Sequence, residues 1–452
     1  MTMHVQLDRT YGIQRRAGPL PAFLDDLLSI EMCFMLYLTA GRYKALPEFE
    51  FLPVDPTMFF FVLTVALIIH KVGAREMRLL PLDAPDLLMM GFVALGVVSV
   101  FWSSLDPKNI DKAWRFVLAS TSAYFIARIL VQDPERRDRL VRLLIGFSVA
   151  LMAYYSFHRW VVGISMWELE NTGRIRGNNY LEYGAHAGWM FFGALAMVVF
   201  GPRKLLIPAL IGAVAGLFLL TLIGARGSLV FSALAIPLAG AMLVIGRRRE
   251  GGGVQRLVVL LVVLAVMAWV GYAALVAIKG FSEASEQLYT LERLSGQISN
   301  EATYSMDIRA EGRDLAFRRW LELPLFGWGL GEFRLQLPTL DYPHNLMLET
   351  LMELGLAGAV PFAALQIIAL FACLRAIRNP DSSWIEMMIA LKFLTEIVSH
   401  ASIEGYLGDN RMYFTLIALA LSIGRTKPQA PKSQTPKPQP PEPRTPKPVY
   451  VR

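Results

Sequence analysis

The chain has 452 residues, 54% hydrophobic and 18% charged, with a mean hydropathy of +0.43. A soluble protein of this length carries roughly a quarter of its residues as charged side chains, whereas here apolar blocks recur that are long enough to cross a ~30 Å hydrocarbon layer as helices; this excludes a soluble enzyme, a disordered chain and an all-β secreted domain. The net charge of +7 sits almost wholly in the last stretch, where Arg425, Lys427, Lys432, Lys437, Arg444, Lys447 and Arg452 face a lone Glu442, so the body of the chain is not a nucleic-acid binder.

In chain order the pattern predicts twelve spans: 22–40, 56–70, 86–103, 114–131, 140–158, 183–200, 205–223, 228–246, 257–278, 356–374, 384–400 and 410–424. The first follows a basic N-region but contains Asp25, Asp26 and Glu31, which fits a cleaved signal peptide poorly. An even count puts both termini on one side. The loops on that side carry 19 Lys and Arg residues and the opposite short loops ten, so the positive-inside bias places both ends in the cytoplasm. The fold class is therefore all-α and polytopic, with about twelve transmembrane helices.

One connector is far longer than the others. Residues 279–343 are polar, with helical spacing in Glu311–Trp320, and are expected to form a large, mostly helical periplasmic loop inserted in a membrane domain spanning 1–424. Residues 425–452 hold nine prolines and read as a disordered cytoplasmic tail attracted to anionic membrane lipids. Cys33 and Cys373 lie in apolar blocks and suggest no disulfide framework. No internal repeat is visible.

Candidate chemistry collects on the outer side. The histidines show no metal-ligand spacing, and His158, His186 and His400 read as structural. His344 lies where the outer loop returns to a span, in Asp341-Tyr-Pro-His-Asn345. Pro343 suits a first helical turn and Asp341 a cap, which would put the imidazole at the positive end of a helix dipole, neutral and suited to a general base. A capping or headgroup-contacting histidine is the other reading. Arg174 and Arg176 precede the sixth span, and Arg226 lies in the very short Gly224-Ala-Arg-Gly-Ser228 turn. Their guanidinium forks suit phosphate oxygens; the alternative is snorkelling to ordinary lipid phosphates.

The Gly327-Trp-Gly-Leu-Gly-Glu-Phe333 run lacks the Lys-Ser/Thr of a nucleotide loop and reads as a tight turn shaping the outer cap. In the eleventh span Lys392 and Glu396, four apart, read as a structural ion pair rather than a transport pathway.

The Leu222–Leu229 turn, the Phe326–Phe333 run and the Pro343-His-Asn-Leu start of the helix leading to Gly358 together resemble the O-antigen ligase/polymerase superfamily, most like the ligase. The resemblance implies a metal-independent glycosyltransferase of lipopolysaccharide biosynthesis in the bacterial inner membrane, acting at the periplasmic face without a cofactor. Its donor would be an undecaprenyl-diphosphate-linked glycan and its acceptor a lipid A–core sugar hydroxyl. Carried over residue by residue, His344 would be the base, and Arg226 with Arg174 and Arg176 would hold the diphosphate. Asn345, Glu182 and Tyr342 stand as supporting residues. The Gly177-Asn-Asn-Tyr180 stretch departs from the family's Gly/Asn-Pro-Asn pattern, which leaves the choice between Arg174 and Arg176 open. A glycan polymerase shares the same marks. A secondary transporter predicts paired broken helices, which are not visible here, and a scaffold leaves His344 and the arginines without a role.

Overall fold

The computed structural model describes residues 29–44, 53–77, 79, 81–163, 180–246, 252–266, 268–269, 303–402 and 405–424. These form helices α1 (Ile30–Tyr43), α2 (Pro56–Gly73), α3 (Ala84–Ser99), α4 (Pro107–Arg115), α5 (Ser122–Leu130), α6 (Pro134–Phe157), α7 (Tyr180–Phe200), α8 (Leu206–Ile223), α9 (Arg226–Ile245), α10 (Gly253–Val266), α11 (Thr303–Glu322), α12 (Glu332–Gln336), α13 (Leu346–Arg378), α14 (Trp384–Ser402) and α15 (Arg411–Ser422), with no strand among the described residues. A π-helical segment, Phe116–Thr121, joins α4 to α5.

Several helices start on the same local signal. Asp55, Asp106 and Asp133 each cap a helix whose first residue is proline, accepting the N–H of Thr57, Lys108 and Glu135 at 2.7, 2.8 and 2.9 Å. The carboxylate satisfies an orphan donor, and proline occupies the position where a missing N–H costs nothing.

Among the described residues, seven helices are long and apolar enough to cross a membrane: Pro56–Gly73, Ala84–Trp102, Pro134–Val162, Tyr180–Phe200, Arg203–Ile223, Arg226–Ile245 and Leu346–Arg378. The other five predicted spans also overlap described helices, and the reasons for the lower count are local. The helix α1 has 14 residues, α5 nine and α15 twelve, α14 holds Glu386, Lys392 and Glu396, and the predicted span 257–278 is described only in part. The described part of the long connector contains α11 and α12; residues 279–302 and the tail 425–452 lie outside the described residues.

Helix α7 is the centre of the bundle. It packs against α6, α8, α9 and α14, and 78% of its span is buried, twice the share of any other candidate span. The same core continues through α3, the π-segment, α13 and α15, where the rings of Phe92, Phe116, Phe362 and Phe414 lie 5.0–6.4 Å apart.

Ion pairs mark the two ends of the bundle. At one, Arg128 holds Asp83 and Asp86 at 2.6 and 2.8 Å, and Arg137 reaches Glu386 at 3.0 Å. Arg136 and Arg139 there face Glu31. This end gathers the starts of α1, α3, α6 and α14. At the other, Arg42 pairs with Glu182 and Lys112 with Glu349 and Glu353, gathering the end of α1 and the starts of α7 and α13.

Candidate functional site

The α8–α9 turn is shaped by two glycines. Gly224 ends α8 at φ 90°, a left-handed conformation that suits glycine, and the buried Ala225 leads into Arg226 at the first position of α9. Gly184 of α7 faces this turn; a Cβ there would collide with Ala225 and crowd Ser228. No side chain caps α9. Arg226, half-buried, therefore leaves a helix start that is held tightly against the central helix.

His344 is placed differently from the sequence expectation. The cap of α13 is Asn345, not Asp341: its Oδ1 accepts the N–H of Leu348 at 2.9 Å, and its Nδ2 donates to the Ala401 carbonyl at 2.5 Å. His344 thus sits just before the cap rather than in the first turn, with Pro343 outside the helix as well. Asp341 is exposed and paired with Arg334 at 3.0 Å. The physical reason is tertiary, because only a residue at position 345 can both cap α13 and reach the last turn of α14. His344 adopts φ 54°, and its half-buried ring lies 4.4 Å from that of Tyr342, which in turn lies 5.3 Å from Tyr406. A left-handed backbone at a non-glycine residue is the kind of local strain that clusters at functional sites.

The end of α14 links the two residues. Asn345 contacts Ala401, while Ser399 and Glu396, within two turns, share a crevice with Ser228 at the start of α9. Arg226 and His344 are thus at the same end of the bundle. Glu182 is at that end too, paired with Arg42. Arg174 and Arg176 lie outside the described residues.

The glycine run proves to be structural. Gly327, Gly329 and Gly331 all have positive φ, and the loop they form lies along an interruption in α13 at Gly355, φ 61°. Trp328 and Gly329 donate to the carbonyls of Met352 and Glu353 at 2.9 and 2.8 Å, and Leu330 donates to Ser99 Oγ at 3.0 Å. In return Leu356 and Ala357 donate to Pro324 and Leu325, both at 2.9 Å. Of the three N–H groups that could cradle a phosphate, two are spent on closing an interrupted helix, whose freed backbone groups need partners, and the third on Ser99 of α3.

The sequence reading missed the buried charge cluster beside it. Lys112 Nζ lies 2.6 Å from Glu349 and 2.7 Å from Glu353, and the two carboxylate side chains are fully buried. Leu407 donates its N–H to Glu349 at 3.1 Å, and the Lys112 ammonium lies 5.2 Å from the Tyr406 ring centre. The signal available was two glutamates four apart at the start of an apolar helix, which require a buried cation from elsewhere. The cluster ties α4, the start of α13 and the 405–410 loop into the frame around His344.

His186 bonds Ser148 at 2.9 Å deep in the core, and His400 bonds Glu396 at 3.2 Å and stacks on Tyr413. Both are held as structural residues are. Lys392 and Glu396 form the expected pair.

Residues 211–363 match a family model described as O-antigen ligase. The match supports the O-antigen ligase/polymerase superfamily, whose members are glycosyltransferase-like enzymes of O-antigen biosynthesis. The matched segment runs from α8 into α13 and so takes in Arg226, the glycine run and His344. No curated protein matches the chain.

Proposed function

We propose that the chain is an O-antigen ligase of the bacterial inner membrane, moving a glycan from undecaprenyl diphosphate to a lipid A–core sugar hydroxyl at the periplasmic face without a metal. The observation that supports this most is that the family-matched segment supplies both a guanidinium at a tight helix start and a strained histidine at the same end of the bundle. In the reaction the acceptor oxygen attacks the anomeric carbon and the bond from that carbon to the diphosphate oxygen breaks. The electron pair leaves on the diphosphate, facing Arg226, and the hydroxyl proton passes to His344. Arg174 and Arg176 complete the diphosphate grip, and Asn345, Tyr342 and Glu182 position the two halves. Arginines can neutralise the leaving group as a divalent ion otherwise would.

Purified protein incubated with lipid-linked glycan and lipid A–core tests the reading. The expected product is glycosylated lipid A–core at a rate unchanged by EDTA. Activity lost to EDTA and restored by Mg²⁺ or Mn²⁺ would assign the diphosphate to a metal. Elongation of the lipid-linked glycan, with no transfer to lipid A–core, would make the protein a polymerase.

Orientation is tested separately. With both termini cytoplasmic, a cysteine at Asp314 in α11 is labelled by an impermeant reagent in intact spheroplasts, and one at Asp381, between α13 and α14, only after permeabilisation. The reverse pattern would put the site on the wrong side for a periplasmic acceptor.

A further inference from the structure

A crevice opens between α7, α9 and α14, beginning beside Ser228, two residues from Arg226, and reaching Ser232, about one turn deeper along α9. The reaction proposed above does not use it. On α7 its wall is cleared by Gly184 and Gly188; on the other sides it presents Ser228, Ser232, Ser399 and Glu396.

Two of these groups point to a ligand. Ser232 and Ser399 are 1% and 3% exposed as residues, no hydrogen bond joins either hydroxyl to another described residue, and both oxygens open onto the crevice. Most serines inside these helices, such as Ser148 and Ser156, return their hydroxyl to a carbonyl of the preceding turn, at 2.8 Å in both cases. A hydroxyl that forgoes that bond and opens onto a cavity takes its partners from whatever polar molecule fills it.

The chemistry of the wall selects the ligand. Lys392 is committed to Glu396 and lies 4.8 Å from the ring centre of Phe192, and His400 holds the other Glu396 oxygen at 3.2 Å. The crevice therefore presents a carboxylate matched by its own cation, with no surplus positive charge to attract an anion. It adds hydroxyls that both donate and accept, and the apolar faces of Phe192 and Phe231. A neutral ring carrying several hydroxyls satisfies all of these at once, whereas a phosphate would face Glu396.

We infer that this crevice is a subsite for one neutral sugar ring of the carbohydrate substrate, with Ser232, Ser399 and Glu396 reading its hydroxyls. This rests on the glycosyl-transfer reading for its role and on the cavity alone for its existence.

Saturation-transfer NMR on the full chain in nanodiscs tests it, with glucose, galactose and N-acetylglucosamine as probes. At least one sugar is expected to take up saturation on its ring protons in the wild type. Ser232→Ala, Ser399→Ala and Glu396→Gln each weaken that binding about three- to tenfold, the effect of one lost hydrogen bond. Gly188→Ala separates binding from folding: its new methyl meets only Ser232 Oγ, at 3.7 Å, so the fold tolerates it while the crevice narrows. Thermal unfolding should be unchanged in this variant and sugar binding reduced. No saturation of any sugar, or saturation insensitive to both Gly188→Ala and Ser232→Ala, would leave a water-filled crevice and overturn the proposal; displacement of the sugar by inorganic phosphate would overturn it in favour of an anion site. Sugar binding that depends on these residues, in a protein that transfers no glycan, would sustain the subsite and sink the transferase reading instead.

Discussion

Replacing His344 by alanine removes most turnover, on the order of 10²–10⁴-fold for a lost general base, while the lipid-linked donor still binds. The expectation rests on position. His344 is the histidine just before the cap of α13, half-buried against Tyr342, at the same end of the bundle as Arg226. By contrast His186→Ala and His400→Ala act on residues whose rings are engaged by Ser148 and by Glu396 and Tyr413. Their losses should appear in stability rather than in the chemical step. The wild-type rate should fall on the acid side as the imidazole protonates, and that limb should be missing from the residual activity of His344→Ala. Donor binding is read by retention of labelled lipid-linked glycan. A folded His344→Ala protein with full activity and an unchanged profile would leave the reaction without its base, and Glu182 would be the next carboxylate to test.

How the site could be read from the sequence depended on whether the information was local. The α8–α9 turn was legible, because glycine beside arginine between two apolar blocks leaves little choice of backbone. The Asp-Pro starts of α2, α4 and α6 carry equally local signals. The cap of α13 was not legible. Asp341 and Asn345 both have capping side chains, and Pro343 argued for the earlier start; the carbonyl of Ala401, 56 residues away, decides in favour of Asn345. Nor could local pattern show what the glycine run does. Positive-φ glycines announce a turn, but that this turn mends an interruption at Gly355 follows only from the hydrogen bonds between the two segments. The Lys112 cluster needs partners 237 and 241 positions apart. Charge count also left the ionisable groups of α14 undivided, whereas Lys392 and Glu396 line the crevice and Glu386 is held by Arg137 at the opposite end.

Arg226 sets the second large expectation, and it is a distinction between two cations. If its planar fork binds two oxygens of the leaving diphosphate, Arg226→Lys is nearly as damaging as Arg226→Ala, because lysine offers a point charge where two parallel hydrogen bonds are needed. The setting favours that geometry. The backbone before Arg226 is pinned by Gly224 and the buried Ala225, and Gly184 lets α7 press against the turn, so the root of the side chain is fixed before any ligand arrives. A pre-positioned fork forfeits little entropy on binding, and its loss should appear chiefly in kcat as charge develops on the leaving oxygens. Loss of one such donor elsewhere costs about 10²–10³-fold, which is the expected size for both substitutions here. The measurement is the kcat and KM of transfer for wild type, Arg226→Lys and Arg226→Ala in parallel. If lysine restores most of the rate, the residue is an electrostatic or lipid-phosphate anchor, and the diphosphate grip must be sought in Arg174 and Arg176.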